Sequence, residues 1–196
     1  MSKVFSACPL FDAHKTFVRL PMGTNMLQDY PDSKAFIDKI AVAIPDAPQE
    51  FLHTQSFLKS YSRKSEATYR SYRNEVERLL LWSWTVANKS IVSLRRADLE
   101  AYFDFVHSPP ANWVALSVAD RFRPIDGQSR QNQNWRPFVV KIAKQDRRKA
   151  LDNGLTMPAT TSGHSLSHEA MKICYSALSC YYDYLTDESY AFGNPI

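Results

Sequence analysis

The sequence lacks the features of an exported or membrane-spanning protein. No stretch of the 196 residues approaches the ~18 consecutive apolar residues that a transmembrane helix needs. The first five residues, 1–5, have neither the apolar core nor the small-residue cleavage site of a signal peptide. We therefore expect a cytoplasmic protein.

Residues that bind metals or form disulfides are also scarce. The three cysteines, Cys8, Cys174 and Cys180, have no metal-like spacing. The last two are six residues apart on one expected helix, where a disulfide cannot close. The sequence contains no Gly-rich phosphate loop, paired-carboxylate metal site or Ser-His-Asp arrangement. These absences predict a protein without a metal ion or cofactor.

The net charge of +4 is unevenly distributed along the chain. Residues 1–47 are neutral and residues 48–107 carry +2, whereas residues 108–150 carry +6 and residues 151–196 carry −4. A local excess of positive charge suits a polyanionic partner, although a solvated charged surface is the commoner explanation of such residues.

Four segments have the apolar spacing of amphipathic helices, and no segment has a convincing strand pattern. Ser65 is a good N-cap for the clearest of them, and Glu66 places a negative charge in its first turn. Ser108-Pro109-Pro110 ends the third helix, because proline lacks the amide donor. The four helices are expected at about residues 48–60, 65–87, 97–107 and 166–185. This pattern predicts an all-α bundle.

The remaining segments read as irregular. Residues 1–47 contain one weak helical stretch that Ser33 could cap. Residues 109–165 contain a turn at Asp126-Gly127 and a basic, aromatic stretch from Trp135 to Lys149. That stretch is a candidate arm that follows phosphates, and the alternative is a surface helix that docks on the bundle through Trp135, Phe138, Val139, Val140 and Ile142. The two interpretations are compatible, with the apolar side inward and the basic side toward DNA.

Three pieces of the chain resemble the core-binding domain of tyrosine site-specific recombinases, the phage-integrase family. The first is Ser65-Glu66-Ala67-Thr68-Tyr69-Arg70-Ser71-Tyr72, continued by Leu79-Leu80-Leu81-Trp82. The second is the segment from Ile91 to Phe103. The third is Leu178-Ser179-Cys180-Tyr181-Tyr182-Asp183-Tyr184-Leu185, followed by Asn194-Pro195. Together they cover about half of the chain, in the order in which the family carries them.

The resemblance implies a four-helix, SAM-like core-binding domain over residues 48–190. Residues 109–164 would be a basic insertion between the third and fourth helices, and residues 1–47 an N-terminal extension. Residues 191–196 would begin the linker to a catalytic domain that this sequence does not include. Such a domain clamps double-stranded DNA at the nucleoid, together with other recombinase protomers, during integration or excision.

In that family the second and fourth helices face the major groove of the DNA. Carried onto this sequence, the resemblance assigns DNA contacts to one set of residues on the second helix and another on the fourth. These residues are Lys64, Ser65, Thr68, Arg70, Ser71 and Arg73, with His168, Lys172 and Ser176. The basic stretch adds candidate phosphate contacts at Arg136, Lys141, Lys144 and Arg148.

Other interpretations remain open at this stage. Arg70 or Arg73 could pair with nearby glutamates on a solvated helix face, and His168 and Lys172 could be an ordinary charged helix start. The sequence lacks the family's His-x-x-Arg step, so we expect the chain alone to be inactive as an enzyme. The tyrosines of the last helix are better explained by packing than as nucleophiles. The alternative function is a helical protein-interaction or regulatory domain.

Overall fold

The computed structural model describes residues 7–21, 23–115, 117–139 and 166–196. Within these ranges the α-helices are α1 (His14–Arg19), α2 (Pro31–Ala41), α3 (Ala47–Tyr61), α4 (Glu66–Trp82), α5 (Arg96–His107) and α6 (His168–Asp187). Short 3-10 turns cover Met26–Gln28, Ile91–Ser93 and Ala111–Trp113. The four strongest helices predicted from apolar spacing are therefore present as α3, α4, α5 and α6.

The described residues also contain two small sheets. Strand β1 (Val114–Ala115) pairs in parallel with β4 (Phe138–Val139), and β2 (Phe122–Ile125) pairs antiparallel with β3 (Gln128–Gln131). Asp126 and Gly127 join the second pair with φ angles of 50° and 76°, as a tight hairpin turn requires. The expectation of a clean all-α four-helix bundle is therefore wrong. The hairpin was missed because its strands lack alternating apolar residues and Pro124 argues against a strand.

Helix α4 begins and ends as its sequence dictates. The Ser65 side chain accepts a hydrogen bond from the backbone amide of Thr68 at 3.1 Å, which confirms the predicted N-cap. After Trp82 the helix continues through a π-helical turn, Ser83–Ala87. It stops at Asn88, whose left-handed backbone (φ 52°) ends the hydrogen-bond ladder.

The core lies where α3, α4 and α6 pack together. The ring of Phe57 lies 5.0 Å from that of Tyr181, and the hydroxyls of Thr54 and Tyr181 are 2.5 Å apart. Tyr182 is also buried and donates a hydrogen bond to the carbonyl oxygen of Ile91. The prediction that these two tyrosines pack in the core is therefore confirmed.

Residues 7–47 contribute to the same core. Phe11 is fully buried and stacks on Phe51 of α3, with the ring centroids 4.8 Å apart. The helix expected near Ser33 is present as α2, but Ser33 does not cap it. That residue lies inside α2, fully buried, with its hydroxyl donating to the carbonyl oxygen of Pro9. This N-terminal part of the chain is thus integral to the packing.

The segment between α5 and α6 also docks on the helices. Trp135 and Phe138 are buried, and the guanidinium of Arg78 in α4 donates two hydrogen bonds to the carbonyl oxygen of Pro137. In residues 135–139, the described part of the basic stretch, the apolar side chains of Trp135 and Phe138 therefore pack inward from a loop and β4. Val140 and Ile142, expected to dock beside them, lie outside the described residues.

No helix in the described part of the chain is both long and apolar enough to cross a membrane.

Candidate functional site

A surface groove of about 530 Å³ lies between α4 and α6. It is lined by Ala67, Thr68, Ser71, Tyr72, Lys172, Ile173 and Ser176. We call this feature the interhelical groove. Four of the residues predicted to contact DNA line it: Thr68 and Ser71 from α4, and Lys172 and Ser176 from α6. Residues predicted to contact DNA from α4 and from α6, about a hundred positions apart in the sequence, therefore line the same groove.

Tyr72 forms the floor of the groove, and residues of two neighbouring helices, α3 and α6, hold its side chain in place. Its ring stacks on that of Tyr61 at 4.3 Å, and its hydroxyl donates to the sulfur of Cys180 at 3.7 Å. Burial, the largest cause, and the neighbouring thiol raise the pKa of Tyr72 above its ordinary value. The tyrosine therefore stays neutral and ties α6 to α4.

Both helices that form the groove begin with a serine cap. Ser65 and Thr68 share a hydroxyl contact of 2.9 Å at the start of α4. At the start of α6, the Ser167 hydroxyl accepts from the amide of Ala170 at 3.2 Å. His168 follows that cap and is exposed. Helix starts of this kind present partial positive charge to an anion.

The cations beside the groove are accessible. Lys64 is exposed, with its ammonium 4.7 Å from the ring centroid of Tyr61. Arg70 is exposed and forms no ion pair within the described ranges, so the alternative of a pairing with a nearby glutamate is not seen there. Lys172 contacts Glu169 at 3.1 Å, but both side chains are more than half exposed, which makes the pair weak.

Arg73, predicted to lie with these cations, points into the protein instead. It is only 7% exposed, and its guanidinium donates to the carbonyl oxygen of Asp12 at 3.0 Å and to the side chain of Asn74. Burial lowers the pKa of Arg73 to about 10. The N-terminal segment covers this part of α4, so Arg73 is not available on the surface for a ligand.

The predicted phosphate contacts in the basic stretch are only partly described. Arg136 is half-buried and donates to the carbonyl oxygens of Gln133 and Trp135, at 2.7 and 2.6 Å. It is not among the residues that line the interhelical groove. Lys141, Lys144 and Arg148 lie outside the described residues.

Sequence reasoning missed three residues of the groove: Ala67, Tyr72 and Ile173. Tyr72 follows the apolar repeat of α4, which predicts a core position, although it also lies four residues after Thr68 and so shares its helix face. Ile173 is 49% exposed, which apolar periodicity alone does not predict. In the part of the chain that the structure describes, no cluster of His, Cys, Asp or Glu side chains could hold a metal ion.

Comparisons of the chain with protein-family models, with curated proteins and with solved structures give no match. The resemblance to tyrosine recombinases therefore rests on the sequence pieces alone.

Proposed function

We propose that this chain is a DNA-binding domain that grips a duplex along the interhelical groove. The observation that carries the proposal is the convergence of Thr68 and Ser71 with Lys172 and Ser176. A partner that contacts all four residues must lie across both helices. A rigid duplex meets that requirement.

The chemistry of the groove suits a polyanion. Among the described residues that line it there is one cation, Lys172, and no carboxylate. The side chains of Ala67, Thr68, Ser71 and Ser176 are short, so a phosphate or base edge can approach the helix backbones closely. Hydroxyl groups donate hydrogen bonds to phosphate oxygens, and the neighbouring cations Arg70 and Lys64 add long-range attraction.

The resemblance to tyrosine recombinases supports a more specific version of this proposal. The chain would act as the core-binding half of a clamp around a recombination site, with a catalytic domain as the other half. It would work at the nucleoid in the cytoplasm, beside other recombinase protomers, and would have no catalytic activity by itself. The order of the three matching pieces supports this version.

Fluorescence anisotropy with a labelled duplex tests the proposal. We expect the affinity of the wild-type chain to fall steeply as salt rises, because cations that contact phosphates displace counterions. The double variant Arg70→Gln/Lys172→Gln should bind at least about tenfold more weakly, with a salt slope lower by about two.

The matched control is Lys34→Gln/Lys39→Gln, which removes the same two positive charges from α2. Helix α2 packs against α3 and β3, and neither lysine lines the groove. The control should keep the wild-type affinity within about twofold if local contacts dominate over net charge. Equal losses in both variants would show that only total charge matters, and the groove would not be the site.

A second candidate function is protein interaction, favoured by an apolar surface beside α6. Tyr175 is 43% exposed and lies 4.1 Å from the ring of Phe103. Both residues line a groove of about 560 Å³ together with Leu99, Pro195 and Ile196. Exposed apolar patches of this kind mark interaction sites. Concentration-dependent self-association by light scattering, with no salt-sensitive DNA binding, would favour this function.

A further inference from the structure

A second cleft lies in the segment between α5 and α6, outside the part of the chain that resembles recombinases. Its volume is about 570 Å³. Arg123 from β2 and Arg136 from the loop before β4 line it, with Asp120, Asn132 and Asn134 at its polar edge. Val114 and Ala115 of β1 supply an apolar wall. We call this feature the arginine cleft.

The two arginines of this cleft differ from Arg121 and Arg130, the other described arginines of the segment, because those two form ion pairs with acidic side chains. Arg121 is paired with Glu77, and Arg130 is paired with Asp32 at 2.6 Å. The side chain of Arg123 is exposed and forms neither a hydrogen bond nor an ion pair within the described ranges. Of the four arginines of this segment that the structure describes, two are therefore paired with acids, and Arg123 and Arg136 line one cleft.

Arg136 has no carboxylate partner within the described ranges either. Its hydrogen bonds there use one terminal nitrogen, which donates to the two backbone carbonyl oxygens of Gln133 and Trp135. Asp120 is the carboxylate among the described lining residues, and its backbone oxygen accepts from the side-chain amide of Asn132 at 2.7 Å. With one acid against two arginines, the described lining keeps an excess positive charge.

The protein fixes the position of this cleft. Arg136 lies between two residues that are themselves fixed. Trp135 is buried, and the guanidinium carbon of Arg121 lies 4.6 Å from its ring centroid. The carbonyl oxygen of Pro137 accepts two hydrogen bonds from Arg78. A guanidinium held in place loses little freedom when it binds, and its planar donors match the oxygens of a phosphate. The arrangement therefore favours a tetrahedral oxyanion over a small neutral ligand.

The cleft and the interhelical groove are connected through α4. Ser71 lines the groove, and Arg78, which holds Pro137 beside Arg136, follows seven residues later. Seven residues are close to two turns of helix, so the two side chains share a face and lie ~10 Å apart along the axis. The residue that holds Pro137 beside the cleft and a residue that lines the groove thus belong to one face of α4, so a single duplex is large enough to reach both sites.

We propose that the arginine cleft binds a phosphate group through Arg123 and Arg136. Its source is a backbone phosphate of the same duplex that occupies the interhelical groove, so this part rests on the proposed function. The cleft would then extend the DNA contact into a segment that the recombinase resemblance does not describe.

The test compares the variant Arg123→Gln/Arg136→Gln with the control Arg19→Gln/Arg96→Gln. Both remove two arginines, and those of the control lie on α1 and α5, away from both sites. The single variant Arg123→Gln repeats the test without touching the hydrogen bonds of Arg136. Because Arg123 has no partner within the described ranges, this variant should unfold at the wild-type temperature.

Two probes distinguish the sources of the phosphate: a labelled duplex, and inorganic phosphate followed by NMR. The proposal predicts that the cleft variant loses about tenfold in duplex affinity and about two in salt slope, while the control stays within twofold. If the cleft variant keeps the wild-type affinity for the duplex but no longer binds inorganic phosphate, the cleft is a phosphate site that does not contact the DNA backbone. Unchanged binding of both probes would overturn the proposal.

The same measurements separate this proposal from the proposed function. If the wild-type chain binds inorganic phosphate through Arg123 and Arg136 but binds no duplex, the DNA proposal fails and the phosphate site stands. If the duplex binds and only Arg70→Gln/Lys172→Gln weakens it, the groove stands and the cleft fails as a contact with the duplex.

Discussion

Arg121 and Glu77 form a buried ion pair that joins the segment between α5 and α6 to the middle of α4. Their side chains are only 11% and 2% exposed. Glu77 also accepts hydrogen bonds from the backbone amides of Leu10 and Phe11, at 2.7 and 3.1 Å. One carboxylate therefore connects the N-terminal segment, the central helix and the segment that carries the arginine cleft.

Removing this carboxylate should destabilise the protein strongly. Glu77→Ala leaves a buried guanidinium and two amides without their acceptor, so we expect the free energy of unfolding to fall by about 3–5 kcal/mol. Urea denaturation measures the change. Asp38→Ala is the control, since the Lys34–Asp38 pair is more than half exposed and should contribute under about 0.5 kcal/mol. Similar losses in the two variants would contradict a central role for Glu77.

Arg70 and Arg73 should behave oppositely although they lie one turn apart on α4. Arg70→Gln should weaken duplex binding several-fold and leave the melting temperature unchanged, because its side chain is exposed. Arg73→Gln should lower the free energy of unfolding by about 1–3 kcal/mol, because it removes one of the two donors, the charged one, from the carbonyl oxygen of Asp12. Duplex affinity per folded molecule should stay unchanged in Arg73→Gln. A large loss of affinity in that variant would contradict the inward position of Arg73.

Ser65 caps α4 and also lies beside the groove. Two substitutions distinguish its effect on stability from its effect on duplex binding. Ser65→Ala removes the cap of α4 and should cost about 1 kcal/mol of unfolding free energy. Ser65→Asp still accepts from the amide of Thr68, so stability should be kept. Its negative charge should nevertheless weaken duplex binding. Thermal unfolding and anisotropy on the same samples test both effects, and an Asp variant that binds like wild type would remove Ser65 from the DNA contact.

Glu50 should make stability depend on pH. It is fully buried and accepts hydrogen bonds from Trp84, Ser90 and the amide of Ile91. Burial, the largest effect, raises the pKa of Glu50 above its ordinary value, although these hydrogen bonds oppose it. A raised folded-state pKa means that the folded protein binds a proton more tightly than the unfolded chain. The contribution to stability is then fully present below the unfolded pKa and lost as pH rises through the folded value.

The variant Glu50→Gln tests this linkage because its side chain does not titrate. The unfolding free energy of wild type minus that of Glu50→Gln should decrease as pH rises from 4 to 8, because only the wild type loses stability through this group. A difference that stays constant, or that increases with pH, would contradict the raised pKa.

The helices were predictable because each carries local signals. Ser65 caps α4 and Ser167 caps α6, and the apolar residues of both follow the helical repeat. Strands β1 and β4 could not be predicted from the sequence, because each has only two residues and forms only by pairing with the other.

The candidate site could be predicted in part, for the same reason. Thr68 and Lys172 lie on the polar sides of their own helices, which spacing indicates. Arg73 has similar spacing, yet the N-terminal segment covers it, and that packing is long-range. The arginine cleft depends on which arginines find acids elsewhere in the fold, as Arg121 does with Glu77, and no local pattern records such partners.

The most direct test of the account is the salt dependence of duplex binding by the wild-type chain and by Arg70→Gln/Lys172→Gln. We predict micromolar or tighter binding at low salt, a steep loss of affinity as salt rises, and a slope smaller by about two in the variant. No duplex binding by the wild-type chain at low salt, or an identical slope in the variant, would contradict DNA binding at the interhelical groove.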